Sequence, residues 1–122
     1  MIFIGSGLGG LARYLVGGWV QKSTDALFPI GTLVVNFSGC LFAGFLAAIM
    51  TERVLIREEY RAAVLIGVLG GYTTFSTFGL ETFALLNDGQ FGRAALNVAM
   101  TVLFGVAAVW LGYRVAQSWW GA

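Results

Sequence analysis

Four stretches of this chain are long and apolar enough to cross a lipid bilayer, and nearly every charge lies between them. A spanning helix needs about 20 mainly apolar residues to cover a hydrocarbon core of roughly 30 Å. Residues 2–20, 30–50, 62–86 and 94–113 meet that requirement, and 30–50 carries no charge at all. Of the seven Lys and Arg and six Asp and Glu, only Arg13 and Glu81 fall inside these runs away from their ends. The connectors QKSTDALFP (21–29), TERVLIREEYR (51–61) and NDGQFGR (87–93) collect charges and turn formers, as water-facing loops do. Pro29 stands where a helix starts, because its missing N–H is no loss in a first turn. Asn87-Asp88-Gly89 reads as a stop. A spanning backbone in lipid must satisfy its own hydrogen bonds, so runs of this length are helices. The expectation is an all-α integral membrane protein with four transmembrane helices, one domain over residues 1–122, multi-pass in a cell inner membrane or plasma membrane. No basic stretch precedes the first run, which therefore reads as an anchor rather than a cleaved leader.

Composition excludes the other classes. The 122 residues are 58% hydrophobic and 11% charged, against roughly 45–50% and about 25% in soluble domains. A soluble enzyme, a disordered chain and a coiled coil are all ruled out. A net charge of +1 leaves no basic footprint for nucleic acid. With no His, neither His-based metal sites nor His general bases exist within the chain. The lone Cys40 makes neither an internal disulfide nor a multi-cysteine metal site. Gly5–Gly10 (GSGLGG) matches a dinucleotide fingerprint on paper, but that motif needs a preceding strand and a βαβ unit. Asn36-Phe37-Ser38 matches a glycosylation acceptor but lies in mid-span.

Four spans place both termini and the second connector on one side, with Arg53, Arg57, Arg61 and Arg114; the other side holds Lys22 and Arg93. The bias weakly favours cytoplasmic termini and leaves insertion in both directions open. Four helices are too few to enclose a water-filled pore. Gly5-xxx-Gly9 and Gly67-xxx-Gly71 permit close backbone approach, which favours a homo-oligomer.

The third run is the least helical. Gly70 to Gly79, GGYTTFSTFG, mixes Gly, β-branched Thr and aromatics, all below Ala in helix propensity. In lipid an interrupted backbone survives only where protein or a cavity satisfies the freed N–H and C=O groups. Half-helix ends of that kind face ions, N–H groups suiting anions and unwound carbonyls suiting Na⁺. A hydroxyl-rich packing interface is the plainer alternative. Thr32, Asn36, Gly39 and Ala43 share one helical face in the second run, and Asn97, Thr101, Gly105, Ala108 and Gly112 share one in the fourth. Each stripe serves either helix–helix contact or the broken segment.

GGYTTFSTFGLET in the third run, GTLVVNFSG in the second and Gly9-Gly10-Leu11-Ala12-Arg13-Tyr14 in the first resemble the Fluc (CrcB-like) family of fluoride channels, over essentially the whole chain. The resemblance implies an antiparallel, dual-topology homodimer with two fluoride pathways, a helix broken mid-membrane and a central structural Na⁺ at the dimer interface. By position, Phe75 and Phe78 match the paired pore phenylalanines and Asn36 the pore-lining Asn. Ser76 and Thr77 match hydroxyls of the polar track, Thr101 a Ser or Thr of the fourth helix, and Glu81 a Glu on the ion path. Gly70 and Thr73 match two backbone carbonyl donors to Na⁺, and Arg13 the basic residue of the first helix. Asn97 replaces a larger residue of some members, and Tyr72 stands at a variable apolar position.

The implied activity is passive export of fluoride that relieves its toxicity. Amide and hydroxyl hydrogens of Asn36, Ser76, Thr77 and Thr101 suit a small, strongly hydrated anion, and phenyl rings offer positive edges. The rival reading is a small proton-coupled multidrug exporter of organic cations, which needs a carboxylate in the first helix where this chain has Arg13. A non-transporting scaffold subunit is a third. An enzyme is not expected: Ser76 and Thr77 have no His, and no span holds paired carboxylates.

Overall fold

The computed structural model describes residues 1–23, 28–50 and 57–119, and every regular element among them is helical. Helix α1 spans Ile2–Lys22 and α2 spans Ile30–Ala48. Next come α3 (Glu58–Ala62), a π-helical segment Ala63–Leu69, and the single turn α4 (Gly70–Tyr72). After the non-helical residues 73–75, α5 covers Ser76–Asn87 and α6 covers Phe91–Trp119. Arg53, which entered the charge count above, lies outside the described residues.

Three helical stretches are long and apolar enough to cross a membrane: Ile30–Ala48, Glu58–Asn87 and Phe91–Trp119. The first expected run, 2–20, is helical throughout, but Arg13, Tyr14, Trp19 and its many glycines dilute its apolarity, and it is not one of the three. GSGLGG lies inside α1, with no strand before it. The helix bounds follow local chemistry. Pro29 is the N-cap of α2, and its carbonyl accepts from Leu33 N–H at 3.2 Å. Helix α5 stops as expected: Gly89 has φ 76°, Gln90 N–H donates to Leu85 O at 2.8 Å, and Gly89 N–H donates to Leu86 O at 3.1 Å. That is the six-to-one and five-to-two bonding of a Schellman end, which favours Gly at the left-handed position. The fourth run is longer than expected at both ends. Only 88–90 separate α5 from α6, and at the far end Ala116 is buried while Trp119 packs its ring against Phe45 at 5.8 Å.

Small residues make the helix contacts. A Cβ on Gly44 would meet the Val109 carbonyl, and one on Gly112 would meet the Leu41 carbonyl, so α2 and α6 touch backbone to backbone. Val35, Ala48, Ala94, Ala108 and Ala116 are almost fully buried, whereas Phe3, Trp19, Phe83, Leu103, Val106 and Trp110 lie on the outside. Small residues inside and large apolar ones outside is the arrangement of a multi-pass membrane protein, whose helices pack by close approach and whose exterior meets acyl chains. The glycine pairs 5/9 and 67/71 are spent within the chain. Gly5 abuts Ala63 and Val68, Gly9 abuts Val68 and Tyr72, Gly67 abuts Ile2 and Gly5, and Gly71 abuts Ser6. They lock α1 to the π-helical segment and α4, so they are no argument for contact between copies.

Gly44→Val is expected to lower stability by about 1–3 kcal/mol, the usual cost of overpacking. Gly92→Ala, whose Cβ would meet nothing within 4 Å, is expected to be neutral or stabilising by about 0.5–1 kcal/mol. Thermal unfolding in detergent, followed by far-ultraviolet circular dichroism, separates the two.

Candidate ion-binding site

The polar residues of the third run gather where its helix is interrupted. Thr73 has φ −80° and ψ 154°, an extended conformation, and Phe75 is the N-cap of α5. Asn36 of α2 bridges the gap. Its Nδ2 donates to Thr74 O at 3.1 Å, and its Oδ1 accepts from Thr74 N–H at 2.9 Å. A side-chain amide thus replaces the two backbone partners that an unbroken helix would have supplied. Gly39, one turn on, lets the break approach α2, because a Cβ there would strike Thr73 and Tyr72. The Tyr72 and Ser38 hydroxyls lie 2.9 Å apart and add a second clasp.

Each diverted donor leaves a carbonyl free. Thr74 N–H goes to Asn36, so the Gly70 carbonyl loses its i+4 partner. Thr77 N–H donates to Thr74 Oγ1 at 3.3 Å, so the Thr73 carbonyl loses its own. Neither carbonyl has a backbone donor among the described residues. Gly71 O accepts from Arg13 Nε at 3.3 Å, and Leu69 O accepts from both Thr73 N–H (2.9 Å) and Thr73 Oγ1 (3.0 Å). Two uncommitted carbonyls three residues apart, with Gly70 exposed, are ligands that a hard monovalent cation accepts. No group of three or more His, Cys, Asp or Glu able to hold a metal occurs among the described residues.

A cavity of about 430 Å³ opens beside the break, lined by Arg13, Lys22, Thr32, Thr74 and Thr77 among others. A second, of about 250 Å³, is lined by Gln21, Glu81 and Asp88 among others. Thr32 relates the two, because it lines the first cavity and also lies beside the Glu81 carboxyl. Oε1 of Glu81 is buried with no hydrogen-bond partner among the described residues.

Asn36, Thr77, Arg13, Gly70 and Thr73 therefore surround one interruption, with Glu81 reached through Thr32. Phe75 and Phe78 touch, their centroids 5.5 Å apart and tilted by 55°, although Phe75 precedes the helix rather than sharing its face. Phe78 is 7% exposed and Phe75 is 80% exposed. Ser76 is exposed, and Thr101 is half-buried on α6; neither hydrogen-bonds Asn36 or residues 73–77 among the described residues. The α6 stripe divides. Asn97 faces α5, donating to Thr82 Oγ1 at 2.9 Å, while Gly105 lies over Cys40 and Gly112 over Leu41 of α2. The α2 stripe faces the break from Thr32 to Gly39.

Sequence reasoning missed Thr74, whose backbone and hydroxyl organise the interruption, and Thr82. The spacing Thr74-x-x-Thr77 was the available signal, since a Thr ahead of a helix accepts a first-turn N–H.

The sequence model of the CrcB-like protein family (Camphor Resistance, CrcB) matches residues 1–113. The chain belongs to this family. A Solibacter usitatus protein named "Fluoride-specific ion channel FluC" is 45% identical over 117 residues, covering 96% of each chain. A Geobacter metallireducens protein of the same name is 48% identical over 110 residues, 90% of this chain and 89% of that one. A Methylococcus capsulatus protein, again of that name, is 48% identical over 120 residues, 95% of this chain and 51% of its own. The chain spans about half the length of that last relative and nearly all of the other two.

Asn36→Leu removes both bonds to Thr74 and strands two backbone groups. It is expected to cost about 2 kcal/mol or more and to speed hydrogen exchange at the Thr74 amide. Asn36→Asp keeps the acceptor and is expected to preserve that amide's protection better. Equal exchange in both variants and the parent would contradict the bridging role.

Proposed function

We propose that this CrcB-like protein is a fluoride-selective channel that lets fluoride leave the cytoplasm passively, as an antiparallel dual-topology homodimer with two pathways. It is a channel rather than an enzyme. The observation that carries the reading is the Asn36–Thr74 bridge, which maintains an interrupted helix beside a cavity whose polar lining is hydroxyls with Arg13 and Lys22, in a family whose relatives bear a fluoride-channel name. The family membership supports four spans, with α1 as the fourth, and an interruption at membrane depth in the inner or plasma membrane.

Fluoride gives up its water shell only where other donors replace it, and selectivity then follows from the number and spacing of those donors. Asn36 commits one amide hydrogen to Thr74 O and retains the other for the anion. Thr77 and Thr101 hydroxyls, together with Ser76 at the positive N-terminal end of α5, extend the donor set. The tilted Phe75 and Phe78 rings narrow the path and offer ring edges. Arg13 sets a positive potential at the larger cavity, and Glu81 marks the path beyond Thr32. The exposure of Phe75 fits coverage by a second copy.

Sodium fits the same chain. The carbonyls of Gly70 and Thr73 lack helical donors, and a partner copy would supply two more, giving an all-oxygen site that joins the subunits. Bound Na⁺ there supplies positive charge and cross-linking, while the chain's own contribution is the pair of carbonyls freed by Asn36 and Thr74. The organic-cation exporter is disfavoured, because α1 carries Arg13 where that chemistry needs a carboxylate.

Full-length protein in liposomes is expected to release fluoride and retain chloride; vesicles that hold both ions would overturn the reading. Phe75→Ile and Phe78→Ile are expected to cut fluoride flux with assembly intact. Replacing all Na⁺ by a bulky organic cation is expected to lower flux or dissociate the dimer, and indifference to that exchange would remove sodium from the scheme.

A further inference from the structure

We propose that Asn97 is a positioning residue for the fluoride pathway, acting through Thr82 on the backbone that carries Phe78. The proposal rests on the channel reading above.

Asn97 is 2% exposed and is the buried polar side chain among the described residues. A buried amide is costly unless it is bonded, so its partner matters. Its Nδ2 donates to Thr82 Oγ1 at 2.9 Å, and Thr82 Oγ1 donates in turn to Phe78 O at 2.8 Å. The order of donors is unambiguous, since the Thr82 hydroxyl has one hydrogen and spends it on Phe78 while accepting from Asn97. Bonds aligned in this way polarise one another. A Thr hydroxyl bonded to the carbonyl four residues back also bends its helix slightly. Asn97 therefore bears on the curvature of the turn of α5 that begins at Phe78.

The two ends of the chain of bonds explain its use. Asn97 stands on α6, which is locked to α2 at Gly44 and Gly112, so its anchor is rigid. Phe78 is the buried member of the ring pair and meets the exposed Phe75 at 5.5 Å. The start of α5 is tied to α2 through Thr74 and Asn36. One turn further on, Asn97 and Thr82 tie it to α6. A single buried polar contact in an otherwise apolar helix interface fixes register where apolar contacts alone tolerate sliding.

The test uses full-length protein in liposomes, with wild type, Asn97→Leu, Thr82→Val, Thr82→Ser and the double variant Asn97→Leu/Thr82→Val. Fluoride efflux is expected to fall by about tenfold in Asn97→Leu and in Thr82→Val, and no further in the double variant, because both remove one link. Thr82→Ser, which keeps the hydroxyl, is expected to conduct as wild type does. In a Phe78→Ile background, Asn97→Leu is expected to add nothing. Additive losses, or an undiminished flux in Thr82→Val, overturn the proposal.

A second readout needs no flux. In a Cys40→Ala background, Phe78→Cys is expected to react slowly with a thiol reagent, and adding Thr82→Val or Asn97→Leu is expected to raise that rate. An unchanged rate overturns the positioning claim even where flux falls, and Thr82→Val keeps this arm decisive if Asn97→Leu does not assemble. A wild type that releases no fluoride refutes the channel reading, while the labelling arm still decides whether Asn97 places Phe78.

Discussion

An unpaired peptide group in apolar surroundings costs several kcal/mol, and the whole polar centre of this protein follows from how one such pair is satisfied. Asn36 presents an amide to Thr74 in the manner of a neighbouring backbone, donating to its carbonyl and accepting from its N–H. Once Thr74 is held there, the chain cannot continue its helix. The Gly70 carbonyl loses its donor, the Thr74 hydroxyl takes over Thr77 N–H, the Thr73 carbonyl is freed, and α5 starts afresh at Ser76. Uncommitted carbonyls on one side and uncommitted donors on the other are thus two consequences of one contact.

Glycine and polar residues divide the labour around this centre. Glycines bring α1 against the π-helical segment and α2 against α6 at backbone distance, which fixes the frame without any charge. Polar side chains gather where the frame is cut: Asn36 and Arg13 on the carbonyls and amides of the break, Tyr72 with Ser38 beside it, Asn97 with Thr82 one turn later; away from it, Gln21 ties α1 to the start of α2. Because Gly5, Gly9, Gly67 and Gly71 are used up inside the chain, any surface offered to a second copy is built from other residues, such as exposed Phe75 and Gly70.

Much of this was legible in the sequence, for identifiable reasons. Apolar runs and charged connectors read directly as helices and loops, because lipid permits so few backbone solutions. Pro29 and Gly89 marked ends because their backbone preferences are local. Propensity alone marked 70–79 as a poor continuous helix, and the interruption falls on 73–75 within it, with helix on either side. The purpose of the small residues was not legible. Gly5 and Gly9 read equally well as a face for another copy, and Gly105 to Gly112 as a face for the break, since spacing specifies a stripe but not what it meets. The length of α6 was underestimated because Arg114 looks like an end, whereas burial of Ala116 and the Trp119–Phe45 contact carry the helix past it.

Sequence by itself determined that this is a helical membrane protein and marked 70–79 as a poor continuous helix, because hydropathy and propensity act over a few neighbouring residues. Only the tertiary structure decided that the amide of Asn36 would close on Thr74, 38 residues away, and that Asn97 would reach Thr82, 15 residues away. Those pairings depend on which helix faces lie together, and that is settled by close packing across the bundle rather than by any local preference.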